Sequence, residues 1–203
     1  QQICGMDVNP NSDQLVIGAN DNNSSIWDIK DFSNPTKMFH LKHDAAVKAV
    51  AFCPWMPNLL ATGGGSRDRN LRFWHTKSGT LINKYETKGQ ITSIVWSHSQ
   101  KEILVTFGFG NINDRNGIIS VYSYPSMKLK VKIDAPTDLR VLSSDISNDS
   151  RSICTAISDQ SVRIYTIWES KYDLRNSNYD NGIFGSGIID LEEGVDSTIN
   201  TIR

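Results

Sequence analysis

The amino-acid sequence predicts an all-β fold made of four similar units, and three observations lead to this prediction. Short runs rich in Val, Ile, Leu, Phe and Tyr alternate with clusters of Asn, Asp, Gly and Ser, which is the pattern of strands and turns. Four aromatic residues recur at separations of 47, 48 and 43 residues, namely Trp27, Trp74, Tyr122 and Tyr165. Each of them follows an acidic or amide residue six positions earlier, namely Asp21, Asp68, Asn116 and Asp159.

Strand-like segments surround each aromatic residue in the same order. The first unit reads ICGMDV, QLVIGA, DNNSSIW and KMFHLK, and the second reads VKAVAF, LLATGG, DRNLRFW and LINKYE. The third unit reads ITSIVW, EILVTFG, NGIISVY and LKVKI, whereas the fourth has only RVLSSDI, SICTAIS and DQSVRIY. Four strands at this period are typical of a β-propeller blade, and Trp27-Asp28 is the dipeptide after which WD repeats are named.

The stretch GGGSRDR in the second unit has three glycines, as a phosphate-binding loop would. It lacks the Lys-Ser/Thr ending of such a loop, and no helix is predicted after it whose N-terminus could hold a phosphate. We therefore interpret the stretch as the turn between the second and third strands of the unit. We expect its glycines to supply a positive φ in that turn.

His43, Thr62 and Asp68 could form a hydrolytic triad, and this interpretation must be weighed against a structural one. Together with Trp74 they match the hydrogen-bond set of a WD blade, which joins a loop His, a second-strand Ser or Thr, a turn Asp and a third-strand Trp. The Asp-to-aromatic spacing also recurs in units that have no His. We therefore expect a buried structural network, whereas an enzyme would need His43 and Asp68 exposed in a cleft.

Composition narrows the functional classes. The chain has 203 residues, a net charge of -1 and a pI near 6.5, so it lacks the basic excess typical of nucleic-acid binding. No apolar run approaches the roughly 20 residues that cross a membrane. Cys4, Cys53 and Cys154 lie in apolar runs without paired spacings. We expect buried thiols of an intracellular protein, with no disulfide, metal site or cofactor.

The domain organisation follows from these units. We expect a propeller over residues 1–168 and a flexible, Asn/Gly/Asp-rich tail over residues 169–203. Four blades could close a small propeller, but the chain starts inside a strand and the last unit lacks its fourth strand. The interpretation we prefer is therefore the C-terminal four blades of a seven-bladed propeller, closed by a strand from an earlier part of the protein. In the alternative, residues 182–189 fold back as the missing strand.

The second unit carries a resemblance to a known family. Its sequence, HDAAVKAVAFCPWMPNLLATGGGSRDRNLRFWHTKSG, closely resembles the WD-repeat activators of the anaphase-promoting complex, the fizzy and fizzy-related family. The segments QQICGM, GANDN, GQITSIVWS, SVYSYPSMKL and LRVLSSDIS resemble neighbouring blades of the family, and the chain ends in its terminal dipeptide, Ile202-Arg203. An Asn-rich insertion, GFGNINDRNG, is a departure that indicates a divergent member. The resemblance itself suggests a fungal member, with a meiosis-specific one as one candidate.

The resemblance implies a non-catalytic substrate adaptor of a ubiquitin ligase, acting in mitosis or meiosis, in the nucleus and cytoplasm. Its expected partners are the anaphase-promoting complex, degron-bearing substrates and pseudosubstrate inhibitors, with neither nucleic acid nor membrane among them. Ile202 and Arg203 are expected to dock on a TPR subunit of the ligase. A generic WD-repeat scaffold without degron recognition is the alternative.

The family's motifs also imply binding residues. Those expected to bind a KEN-box degron are Asn20, Asn22, Ser66, Gln90 and Arg140. Ser66 stands where the family usually has Thr and keeps the hydroxyl. Gln160 follows the last turn Asp, where family members usually carry an acidic residue that holds the Arg of a destruction box. Because a neutral partner binds Arg less strongly than a charged one, we expect weak destruction-box binding here.

Overall fold

The computed structural model describes residues 2–110, 117–134 and 139–168. Every regular element within these ranges is a β-strand, and the strands form four antiparallel sheets that follow one another along the chain. The prediction of an all-β, WD-repeat propeller with four blades is therefore confirmed. The chain divides into two compact units, residues 1–140 with three blades and residues 141–203 with the fourth.

Each blade of the first unit is a four-stranded meander in which consecutive strands are neighbours. Blade one consists of β1 (Ile3–Val8), β2 (Gln14–Ala19), β3 (Asn23–Asp28) and β4 (Thr36–Lys42). Blade two consists of β5 (Val47–Phe52), β6 (Leu59–Gly64), β7 (Asn70–His75) and β8 (Thr80–Glu86). Blade three consists of β9 (Gly89–Trp96), β10 (Glu102–Gly110), β11 (Ile119–Ser123) and β12 (Leu129–Ile133).

The second unit holds a three-stranded sheet within the described residues. Its strands are β13 (Val141–Ile146), β14 (Ser152–Ile157) and β15 (Val162–Thr166). Trp168 follows β15 and is buried, and its backbone N–H donates to the Arg151 carbonyl at 3.0 Å. The predicted tail, including residues 182–189 and Ile202-Arg203, lies outside the described residues.

Blades of the first unit pack through their inner strands, with β5 against β1 and β2, and β9 against β5 and β6. The backbones approach so closely at Gly5 that a Cβ there would lie 1.9 Å from the Lys48 carbonyl oxygen. Polar groups also join neighbouring blades, because Asp7 Oδ2 accepts the Phe52 N–H at 2.7 Å and the Trp96 Nε1–H donates to the Ala51 carbonyl at 3.1 Å. The three blades therefore form one packed body.

Burial within blade two explains why its middle strands are so apolar. Every residue of β6 is buried, and so is every residue of β7 except His75, whereas the outer strand β8 is mostly exposed. Middle strands covered on both faces need continuous apolar runs, while an outer strand with one solvent face does not. This burial gradient places the hydrophobic core around Leu71 and Phe73.

The three cysteines differ in burial, and the prediction of three buried thiols is wrong for two of them. Cys53 is buried, Cys4 is half-buried and Cys154 is exposed. Side chains alternate between the two faces of a strand, and on β14 the buried face carries Ile153 and Thr155, so Cys154 points to the other face.

Among the described residues no helix is long and apolar enough to cross a membrane.

Candidate functional site

One end of the first unit brings together the turns on which most of the predicted binding residues lie. Because the sheets are antiparallel, the first strand of each blade of this unit begins at this end, and in blades one and two the turn between the second and third strands lies here as well. We call this end the rim and define it by residues 20–22, 65–69, 87–90 and 108–109, together with Arg140, which contacts Phe109. Asn20, Asn22, Ser66 and Gln90 all lie on the rim.

Blade one contributes two exposed amide side chains to the rim. Asn20 is fixed at its oxygen, because Oδ1 accepts the Gln2 N–H at 3.0 Å. Asn22 adopts a left-handed conformation with a φ of 66°, and its carbonyl accepts the His43 N–H at 2.9 Å. A ligand would therefore meet the Nδ2 donors of Asn20 and the whole side-chain amide of Asn22.

Blade two contributes Ser66, which is exposed in the turn between β6 and β7. Its carbonyl accepts the Arg69 Nε–H at 2.8 Å, and Arg69 has a φ of 52°. Arg69 thus holds the same turn position as Asn22, directly after the turn Asp. Sequence reasoning missed Arg69 as a rim residue, although its position one residue after Asp68 was a sufficient signal.

Blade three contributes Gln90, and Arg140 follows at the end of the first unit. The half-buried Gln90 side chain lies across Gly108, since a Cβ at Gly108 would be 3.0 Å from Gln90 Oε1. Arg140 is half-buried, and its Cζ lies 4.1 Å from the centroid of the Phe109 ring. Phe109 was not predicted from the sequence, because a single Phe in an Asn- and Gly-rich segment carries no periodic signal.

Behind the blade-two turn lies a buried polar cluster, which we call the turn lock: His43, Thr62, Asp68, Arg72 and Trp74. A neutral His43 protonated at Nδ1 fits two of its contacts, donating to Asp68 Oδ2 at 2.6 Å and accepting from the Thr62 hydroxyl at 2.7 Å. Arg72 Nη1 lies 2.5 Å from the same Nδ1. Trp74 Nε1–H donates to Thr62 Oγ1 at 2.8 Å. The chain of bonds therefore connects the third strand, the second strand, the loop before β5 and the turn.

Arg72 is the member of the turn lock that sequence reasoning missed. Its Nη1 donates to Asp68 Oδ2 and its Nη2 donates to Asp44 Oδ2 at 2.9 Å. The other oxygen of Asp68 accepts from Asn70 Nδ2 at 2.7 Å. The only signal for this pair in the sequence is that the Arg follows the turn Asp by four residues. Asp159 and Arg163 have the same spacing in the fourth blade, where they form an ion pair at 3.0 Å.

The pKa values of His43 and Asp68 are both lowered, which favours the neutral form of the imidazole and the charged form of the carboxyl group. Burial lowers the pKa of His43 and outweighs the hydrogen bond to Asp68, so the imidazole is held neutral. Burial alone would raise the pKa of Asp68, but hydrogen bonds from His43, Arg72 and Asn70 overcome it and hold the pKa well below its ordinary value. The lock therefore contains a carboxylate and a guanidinium with a neutral imidazole.

This geometry does not resemble an open hydrolytic site. His43, Thr62 and Asp68 have side chains that are buried, with Thr62 at 0% exposure. The Thr62 hydroxyl, which a triad would use as nucleophile, is closed off from solvent and accepts the Trp74 Nε1–H at 2.8 Å. In the ranges that the structure describes, no group of three or more His, Cys, Asp or Glu residues could hold a metal ion.

Comparison with known proteins decides the family. The chain is 47% identical over 200 residues to the meiosis-specific APC/C activator protein Ama1 of Saccharomyces cerevisiae, which covers 98% of this chain and 34% of that protein. It is 40% identical to the WD repeat-containing protein slp1 of Schizosaccharomyces pombe, over 86% of this chain and 34% of slp1. The Dictyostelium discoideum anaphase-promoting complex subunit cdc20 is 37% identical over 88% of this chain and 35% of its own length.

The chain belongs to the family of Cdc20 and fizzy-related proteins.

A solved structure agrees with this family. A chain in the crystal structure of the mitotic checkpoint complex superposes with a TM-score of 0.71 at 41% identity, over 82% of this chain and 51% of that one. The family model described as eukaryotic translation initiation factor eIF2A matches residues 11–180, a range that runs through all four blades. The chain spans about a third of the length of the Cdc20-related proteins it matches.

One turn residue that the Cdc20 resemblance singled out lies in the second unit. Gln160 is exposed in the turn between β14 and β15, with a φ of 71°, and its N–H donates to the Ile157 carbonyl at 3.2 Å. It holds the turn position of Asn22 and Arg69 in the first unit. A neutral side chain therefore occupies the position where the family resemblance implies an acid.

The glycines of the blade-two turn correct one prediction. None of Gly63, Gly64 and Gly65 has a positive φ, which in this turn belongs to Arg69. They are needed for space instead, because a Cβ at Gly64 would lie 2.2 Å from Asp68 Oδ2 and one at Gly63 would lie 2.3 Å from Ile91 Cγ2. In this member of the Cdc20 family, the glycines make room for the turn lock and for the next blade.

Proposed function

We propose that this chain is the substrate-recognising propeller of an activator of the anaphase-promoting complex, regulatory rather than catalytic, and that its rim binds KEN-box degrons. The supporting observation is the rim itself, where adjacent blades present amides, a hydroxyl and a guanidinium at one end of a packed body. The names of its relatives support the activator role. We place its action in the nucleus and cytoplasm.

The chemistry of the rim matches a Lys-Glu-Asn peptide. The Arg140 guanidinium suits the Glu carboxylate, because charge-assisted hydrogen bonds are about twice as strong as neutral ones. The amides of Gln90 and Asn22 each offer a donor and an acceptor, which an Asn side chain and the peptide backbone require. Ser66 adds a hydroxyl that serves either role. On binding, a degron would therefore replace hydrogen bonds to water with several hydrogen bonds to the rim side chains.

Arg140→Ala and Gln90→Ala are expected to weaken binding of a KEN peptide by about tenfold or more, since each removes a polar partner of the ligand. Fluorescence polarisation with a labelled KEN peptide and the intact protein measures this. Lys77→Ala is the matched control, because Lys77 is exposed in the turn between β7 and β8, at the end opposite the rim. Wild-type affinity in both rim variants would remove these residues from the site and favour a scaffold without degron recognition.

The proposal also assigns Ile202 and Arg203 to docking on a TPR subunit of the ligase, as the family resemblance implies. An apolar side chain beside a guanidinium suits a groove with apolar and acidic walls. The polar segment from residue 169 would tether this contact to the propeller and raise its effective concentration at the ligase. Both residues lie outside the described part of the chain, so the support here is the sequence.

Replacing Ile202 and Arg203 together with alanine is expected to reduce ligase binding sharply, because it removes both the apolar and the charged contact. Co-precipitation of the ligase with the intact protein measures the loss. KEN-peptide affinity and the melting temperature should stay at their wild-type values, which separates docking from degron binding. Undiminished ligase binding would leave the two residues without this role.

The proposal treats destruction boxes separately from KEN boxes. Gln160 offers an amide where an acid would hold the Arg of a destruction box, so the charge-assisted part of that contact is missing. We therefore propose that the protein selects its substrates mainly through KEN boxes. The expected partners are KEN-bearing substrates and pseudosubstrate inhibitors.

A further inference from the structure

Phe109 is an exposed aromatic side chain on the rim, with 58% of its surface open to solvent. Single exposed apolar residues are common on protein surfaces, so exposure alone indicates nothing. What distinguishes Phe109 is its neighbour, because the Arg140 guanidinium carbon lies only 4.1 Å from the ring centroid. This distance is well within the range of an attractive cation–π contact.

Stacking of the guanidinium on the Phe109 ring would fix the direction in which Arg140 can bind. A guanidinium is planar, and all five of its N–H groups point outward in that plane. When the flat face rests on a ring, the N–H groups are directed sideways, toward groups beside the ring. Five donors also allow the side chain to keep a partner within the protein and still bind a carboxylate in the bidentate manner that Arg favours.

The other candidate residue of blade three, Gln90, lies on the strand β9 that pairs with β10. The Gln90 side chain lies across Gly108, the residue directly before Phe109, with Gln90 Oε1 3.0 Å from where a Gly108 Cβ would be. Blade three therefore supplies an amide from β9 and an aromatic ring from β10, and the ring contacts the Arg140 guanidinium.

We propose that Phe109 is a positioning residue for peptide recognition: by stacking with Arg140 it holds the guanidinium edge toward the carboxylate of an acidic residue in the bound peptide. This rests on the proposed function, because it concerns the same site. The preference it creates is for an extended peptide with Glu at this point, over the same peptide with neutral Gln.

A positioning role differs measurably from a direct apolar contact with the peptide. If Phe109 acts through Arg140, its loss should weaken only the peptide that carries the carboxylate. If the ring instead packs against the peptide, its loss should weaken Glu and Gln peptides equally. The comparison of the two peptides is therefore the main measurement.

The experiment uses the intact protein and two labelled peptides, one with Lys-Glu-Asn and one with Lys-Gln-Asn. Phe109→Ala is expected to weaken the Glu peptide about fivefold and to leave the Gln peptide unchanged. Phe109→Trp should restore the affinity for the Glu peptide, because the indole ring stacks at least as well with a cation. Arg140→Lys should resemble Phe109→Ala, because an ammonium lacks the planar fork.

A second readout does not depend on binding. In the wild-type protein the ring current of Phe109 should shift the Arg140 Nε–H resonance upfield, and Phe109→Ala should remove that shift. If wild type binds neither peptide, the proposed function fails and this inference fails with it, even where the ring-current shift is present. If wild type binds the Glu peptide but Phe109→Ala binds both peptides as wild type does, or loses both equally, only the positioning role of Phe109 is wrong.

Discussion

Asp68→Ala is expected to lower the free energy of unfolding by about 3 kcal/mol, because it leaves the buried Arg72 guanidinium without its main partner. Breaking a buried ion pair by removing one partner costs about 3–5 kcal/mol, and the low end applies here since Arg72 keeps its contact with the exposed Asp44. His43 and Asn70 also lose an acceptor. Thermal or urea unfolding of the intact protein measures the change.

Asp21→Ala is the matched control for Asp68→Ala. Asp21 holds the same turn position in blade one, but among the described residues its carboxylate accepts only the Asn23 N–H, at 3.2 Å. A loss of about 1 kcal/mol or less is expected. If Asp68→Ala melted like wild type while ligase activation was lost, the turn lock would be a functional site rather than a structural one.

Gly5→Ala is expected to destabilise the protein by about 2–3 kcal/mol through overpacking between blades one and two. The added methyl group would lie 1.9 Å from the Lys48 carbonyl oxygen, a backbone atom that cannot rotate away. The two inner strands must therefore move apart, and the hydrogen bond from Phe52 N–H to Asp7 across the same interface would be strained. The melting temperature of the intact protein reports this effect.

Gly89→Ala provides the comparison for Gly5→Ala. A methyl group at Gly89 would meet Phe107 Cδ1 at 3.2 Å, which is a side-chain atom that a small rotation can move. Its effect should be within about 1 kcal/mol of wild type, because the neighbour can adjust. Equal melting temperatures for the two variants would show that the strands β1 and β5 can move apart more easily than the 1.9 Å between a Gly5 Cβ and the Lys48 oxygen implies.

The strands were predictable because the chain repeats the same local pattern in every blade. Segments such as QLVIGA and VKAVAF coincide with β2 and β5 at both ends, since turn residues bound them on each side. The four turn-lock residues named from the sequence meet within hydrogen-bond distance, because their spacing fixes them to one loop, two strands and one turn of a single blade.

Other features depend on contacts between segments that are far apart in the sequence. Arg72 looked like an ordinary alternating strand residue, and only the folded blade shows it buried beside Asp68. Phe109 became a candidate only because the folded chain places Arg140, 31 residues later in the sequence, against its ring. The glycines were assigned to backbone conformation, whereas the closeness of Ile91 and Asp68 to them is a tertiary property.

The turn lock also bears on how this protein can change over evolutionary time. The backbone of the blade-two turn is held from behind by Asp68, whereas Ser66 and Arg67 in the same turn are exposed. Substitutions at those two positions would alter the surface offered to a ligand with little effect on folding, since surface changes away from such features are usually close to neutral. Positions 66 and 67 can therefore change by single mutations while the turn keeps its backbone conformation.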